Sequence, residues 1–139
     1  MSLEIIRYDN KYQEALVDLW RKCGLVTPQN DPVEDIQKKL DFQSDLFFLA
    51  LVEEKLVGSV MVGYEGHRGW INYLAVLPEH QKQGYGRSLV EKAIEELQKL
   101  GCLKVNLQVR KTNLPAVEFY KHLGFKEDNV TSLGLRLRK

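Results

Sequence analysis

Val76-Leu77-Pro78-Glu79-His80-Gln81-Lys82-Gln83-Gly84-Tyr85-Gly86-Arg87-Ser88-Leu89 is the stretch whose reading decides the fold. Pro78 lacks a backbone N–H and fixes its own φ, so it ends the apolar strand-like run before it. From Tyr85 onward Leu89, Val90, Ala93, Ile94, Leu97 and Leu100 keep helical spacing until Gly101. The stretch is therefore a strand-to-helix connection. Gly84 and Gly86 let its backbone turn and approach a ligand closely. Free N–H groups at the helix start, added to those of the turn, suit phosphate oxygens, and Lys82 and Arg87 add positive charge. Leu89 stands where a dinucleotide fingerprint needs its third glycine, and no Gly-Lys-Ser/Thr follows, so neither a Rossmann turn nor a P-loop is present. A pyrophosphate cradle and an ordinary connection with two turn glycines both remain open at this point.

Working outward, the pattern predicts a strand over Leu3–Tyr8 and a helix over about Asn10–Cys23, with Asn10 and Gln13 at capping-box spacing. A second helix starts at Asp31-Pro32-Val33-Glu34, with Asp as cap and Pro in first position, and runs to about Phe42. Strand-like runs follow at Leu46–Val52, Lys55–Gly63 and Trp70–Leu77. The first two are joined by Glu53-Glu54, the next two by Glu65-Gly66-His67-Arg68-Gly69. Beyond the long helix come a strand at Leu103–Arg110, a helix at Asn113–Leu123 and terminal strand material from Phe125 to Arg138. The crossover helix makes Trp70–Leu77 and Leu103–Arg110 parallel neighbours in an α/β sheet that is otherwise mostly antiparallel.

The chain has 139 residues, which makes one domain the expectation over 1–139, and a net charge of +1. That balance argues against a dedicated nucleic-acid binder, and no apolar run is long enough for a membrane span. The neutrality is uneven: residues 1–69 carry 8 basic and 12 acidic side chains, residues 70–139 carry 12 and 7. Anionic ligands are favoured by the second half and cationic ones by the first. Cys23 and Cys102 lie far apart, without metal-ligand spacing, which fits reduced thiols in the cytoplasm and no metal site.

A second segment, Asn113-x-x-Ala116-x-x-Phe119-Tyr120-x-x-x-Gly124-Phe125, sets a helix start, a small residue, an aromatic pair and a Gly-Phe stop at fixed intervals. Together with the Gln81–Gly86 loop it resembles the GNAT superfamily of acyl-CoA-dependent N-acyltransferases, and the element order matches over nearly the whole chain. Asn30-Asp31-Pro32, Gly66-His67-Arg68-Gly69 and Ser132-Leu133-Gly134 look closest to the small bacterial YpeA-type acetyltransferases. The resemblance implies a mixed sheet of about seven strands with four helices and splayed parallel central strands. It implies that residues Gln81 to Ser88 (Gln81, Lys82, Gln83, Gly84, Tyr85, Gly86, Arg87, Ser88) bind CoA, the glycine loop holding its pyrophosphate. Leu74-Ala75-Val76 would bond the pantetheine arm along an open strand edge, with Asn113 and Tyr120 beside it.

The activity so implied is acetyl transfer from acetyl-CoA to a primary amine, on a small molecule or a protein N-terminus or lysine. Tyr120 would protonate the leaving sulfur, and a backbone N–H near Leu74–Val76 would stabilise the oxyanion. Family members that use a carboxylate base have it on the central strands, where this chain has Trp70 and Gln108. Asp31, Glu65 and His67 are the candidates for contacting the acceptor; as a helix cap and two turn residues, each also has a purely structural reading. Small family members are often dimers. A non-catalytic acyl-CoA-binding domain is the competing expectation.

Overall fold

Strand β2 (Phe47–Val52) is buried at every position, so both faces of the sheet around it must be covered. The computed structural model describes residues 2–138 and divides into two compact units, the first reaching to Leu107 and the second starting at Gln108. In the first unit the sheet order is β1 (Leu3–Arg7), β2, β3 (Lys55–Tyr64), β4 (Gly69–Val76) and β5 (Val105–Asn106). The first four strands are antiparallel and β5 is parallel to β4. Helices α1 (Gln13–Lys22) and α2 (Pro32–Asp41) and the odd-numbered residues of β2 form one core with Trp20 and Ile36 at its centre. Helix α3 (Tyr85–Lys99) packs against β2, β3 and β4, sinking Leu89, Val90, Ala93 and Leu97 out of solvent. The crossover between β4 and β5 is this helix, as the sequence pattern requires.

Local signals explain most boundaries. Asp31 accepts from the N–H groups of Val33 and Glu34 at 3.0 and 3.2 Å, and Pro32 follows it, which starts α2 as expected. The expected Asn10 cap is not used: Asp9 accepts from Lys11 N–H and opens a short 3₁₀ turn before α1. Glu53 and Glu54 both have positive φ, the conformation a two-residue hairpin turn needs to match strand twist.

Two expectations fail. The strand expected at Leu103–Arg110 shrinks to Val105–Asn106, and the sheet of the described residues has five strands instead of about seven. Residues 126–138 contain no strand, and Leu133, Leu135 and Leu137 are exposed despite their alternating pattern. Alternation alone does not make a strand, because the ladder hydrogen bonds come from a neighbour. The second unit holds helix α4 (Leu114–His122).

Gly58 on β3 is a point of close approach between the strands and α3. A Cβ there would sit 2.9 Å from the Ala75 carbonyl oxygen and 3.0 Å from Leu89 Cδ1. One neighbour is backbone, so it cannot rotate away. Gly58→Ala should lower unfolding free energy by ~1–3 kcal/mol in urea titration, and an unchanged midpoint would mean that β4 and α3 separate without cost.

Candidate functional site

Strand β4 carries a bulge. Ser59 faces Ala75 and Met61 faces Asn72, so Tyr73 and Leu74 together oppose the single residue Val60. Tyr73 adopts φ +51°, a left-handed conformation that a bulky residue rarely holds without support. Past the bulge, Leu77 N–H donates to Val57 on β3 at 2.8 Å. By strand alternation the N–H and C=O groups of Val76 and Leu74 then point away from β3. On that side β5 pairs only with Gly69 and Trp70, leaving the edge near Leu74, Ala75 and Val76 without a ladder partner among the described residues. This is what splayed strands require. An extended amide-bearing ligand could pair with such an edge as an added strand would.

The Val76 carbonyl is already engaged. It accepts from Gln81 Nε2 at 3.0 Å and from Cys23 Sγ at 3.3 Å. The Gln81 side chain thus braces the loop against the end of β4. Burial pushes the Cys23 thiol up, so that it stays protonated.

Within the loop, Lys82 and Gly84 are both left-handed, at φ +64° and +84°. Gly84 caps α3 with no side-chain cap bond, and no acidic residue occupies the first turn. The Ser88 N–H and hydroxyl both donate to the Gly84 carbonyl, at 3.0 and 3.1 Å. The N–H groups of Tyr85, Gly86 and Arg87 precede the first i to i−4 bond of the helix, so they offer donors and the positive end of its dipole to an anion. Lys82 has no ion-pair partner among the described residues, and exposed Arg87 meets only Glu91 at 3.4 Å. The residues present therefore fit a pyrophosphate.

In the second unit, Asn113 Oδ1 accepts from Ala116 N–H at 3.3 Å and caps α4. The helix ends with Gly124 at φ +99°; its N–H bonds to Lys121 C=O and the Phe125 N–H to Tyr120 C=O. That is a Schellman ending, and the Phe125 ring closes on Tyr120 edge-on at 5.5 Å. The Tyr-x-x-x-Gly-Phe spacing is thus a device that stops the helix and fixes the Tyr120 ring. Burial raises the Tyr120 phenol to about 12.

The other candidates are dispersed. Glu65 and His67 lie exposed in the β3–β4 turn, where Arg68 donates to His67 C=O at 3.2 Å. This turn is separated from the glycine loop by the length of β4, roughly 23 Å at ~3.3 Å per residue. Asp31 is committed to the cap of α2. Gln108 Nε2 donates to Ser132 Oγ at 2.5 Å. What sequence reading misses is one helical turn beyond Asp31: Tyr73 Oη donates to Asp35 Oδ2 at 2.5 Å and accepts from Asn30 Nδ2 at 2.8 Å. These partners are 38 and 43 positions apart, and no periodicity or spacing announces them.

The model of the Acetyltransferase (GNAT) family matches residues 13–125. The chain belongs to this family. An acetyltransferase of Sodalis glossinidius is 39% identical over 138 residues, which cover 99% of this chain and 96% of that protein. One of Pectobacterium atrosepticum is 39% identical over 137 residues, with the same coverage. The PaiA N-acetyltransferase of Thermoplasma acidophilum, solved with coenzyme A, shares the fold at TM-score 0.80 and 21% identity, covering 94% of each chain. An aminoglycoside acetyltransferase from an uncultured soil sample, solved with trehalose, gives TM-score 0.76 at 26% identity, over 98% of this chain and 97% of that one. This GNAT protein is accordingly an acetyl-CoA-dependent N-acetyltransferase. No helix of the described residues is long and apolar enough to cross a membrane.

Gly84 has open space where a Cβ would stand, so its requirement is conformational, from its positive φ. Gly84→Val should weaken CoA binding about tenfold in calorimetry, since a β-branched residue resists this conformation. Wild-type affinity in that variant would separate the loop from CoA binding.

Proposed function

We propose that acetyl passes directly from acetyl-CoA to a primary amine, with Tyr120 Oη giving a proton to the departing sulfur. The observation that carries this reading is geometric: the Schellman ending of α4 and the Phe125 ring at 5.5 Å hold the Tyr120 phenol in one place. With its ionisation pushed up to about 12, Tyr120 is fully a donor at neutral pH. Its ring is set by the Schellman ending of α4, which limits where the proton can be delivered.

Acetyl-CoA supplies the acyl group as an activated thioester. We assign its pyrophosphate to the loop N–H groups from Lys82 to Arg87, with Lys82 and Arg87 adding charge. Its amide arm is assigned to Leu74, Ala75 and Val76 on the open edge of β4. An N–H of the same edge would hold the developing oxyanion. In this reading residues 1–139 serve one catalytic activity.

The acceptor must lose a proton before attack. Trp70 and Gln108 cannot take it, so an amine with an appreciable neutral fraction suits the site best. An α-amine near ~8 meets that condition more readily than a lysine at ~10.4. Protein N-termini, lysines and small amines, including the aminoglycosides for which one structural relative is named, define the panel to screen. The free thiols of Cys23 and Cys102 suit a reducing cytoplasm.

Tyr120→Phe should lower kcat roughly 10²-fold while leaving the CoA Kd within about twofold. Parallel loss of both would make Tyr120 a packing residue. The pH profile gives an independent check. Turnover should rise as the amine deprotonates and should not fall again below pH 10.0, the ordinary tyrosine value, because Tyr120 keeps its proton to about 12. A decline with a midpoint below that would place the acid elsewhere. The same shift has a stability consequence: the folded value exceeds the unfolded one. The neutral phenol's contribution is complete below pH 10.0 and is lost as pH rises towards about 12.

A further inference from the structure

We propose that Tyr73 is a positioning residue for the acyl donor, clamped by Asp35 and Asn30 so that β4 keeps the bulge that turns Leu74 and Val76 to the open edge. The inference rests on the reading that this edge carries the donor's amide arm. Without a clamp, a left-handed tyrosine would relax towards ordinary strand geometry, and the two-against-one pairing opposite Val60 would slip. A slip of one residue reverses which backbone groups face the edge.

Three sets of contacts hold Tyr73. Its ring stacks on Trp20 of α1, with centroids 3.9 Å apart and planes 20° from parallel. Its carbonyl accepts from the wholly buried Ser59 hydroxyl at 2.8 Å, and that hydroxyl accepts from Trp20 Nε1 at 3.0 Å. Its phenol lies between Asp35 and Asn30. Asn30 is itself fixed, donating to Leu25 C=O and accepting from the Thr27 N–H and hydroxyl at 2.7 and 2.8 Å. Asp35 sits in the first turns of α2, its N–H bonded to Asp31 C=O at 2.9 Å. No lysine or arginine pairs with Asp35 among the described residues, whereas its neighbour Glu34 holds Lys38. The tyrosine hydroxyl is therefore the partner that Asp35 has, and α2 is tied through it to the bulge.

The test uses the full-length protein with Tyr73→Phe, Asp35→Ala and Asp35→Asn. Acetyl-CoA KM, amine KM, kcat, melting temperature and CoA Kd by calorimetry are measured for each. Phenylalanine keeps the stack on Trp20 and loses only the hydroxyl, so that variant should fold. Tyr73→Phe and Asp35→Ala are expected to raise acetyl-CoA KM and CoA Kd roughly three- to tenfold, with amine KM within about twofold. Asp35→Asn keeps an oxygen for the phenol and is expected to stay within about twofold of wild type. The clamp is overturned if Asp35→Asn fails as badly as Asp35→Ala while amine KM rises, since the carboxylate's charge would then serve the acceptor. It is also overturned if melting temperatures fall and donor KM stays unchanged. Wild-type protein that binds no CoA would remove the reading of the edge itself, which these variants do not probe.

Discussion

Among the described residues, strand β4 has a ladder partner on one side only beyond Trp70, and the candidate site of the first unit is built on that constraint. Unpaired backbone groups are costly when buried, so a bare strand edge must meet solvent, a ligand or another chain. Here the bulge at Tyr73 and Leu74 sets which groups face the bare side. The glycine loop begins where the same strand stops, and Gln81 is bonded back to the strand's Val76 carbonyl. An amide-bearing chain and an anion could therefore be received by one continuous stretch of backbone. Side chains supply charge at the loop, but the donors themselves are main-chain groups.

The candidate site is built largely from main-chain groups, so much of its local conformation is legible in sequence. Backbone conformation is announced by glycine, proline and capping residues, and these stand at Pro78, Gly84, Gly86, Asn113 and Gly124. The long helix, its glycine stop and the Asp31-Pro32 start are legible for the same reason. What is not legible depends on partners far away in the chain. Tyr73 reads as one more aromatic in a strand until its hydroxyl is seen against Asp35. The terminal leucines alternate as a strand would, yet they lack a ladder, because pairing belongs to two segments and alternation to one.

The two named motifs differ in what their fixed residues accomplish. In the loop, glycine permits a backbone turn and leaves N–H groups unclaimed. At the end of α4, Gly124 permits a turn that claims them: the last carbonyls of the helix are satisfied and Phe125 is brought onto Tyr120. One motif keeps donors available for a ligand, and the other spends its hydrogen bonds on fixing a single ring. Both depend on positive φ at one residue, with opposite outcomes for the neighbouring polar groups.

Gly84 adds a point about how such a loop is constrained. Space around it is open, so nothing in its surroundings asks for a small residue. What it needs is a sign of torsion that L-amino acids resist. The loop thus selects its residue by handedness, and a screen of substitutions ranked by side-chain volume would find no trend there. Gly58 would show the opposite, because its limits are set by the Ala75 carbonyl and the Leu89 methyl. Two glycines in one small enzyme therefore answer to different physics: one to chirality, the other to packing.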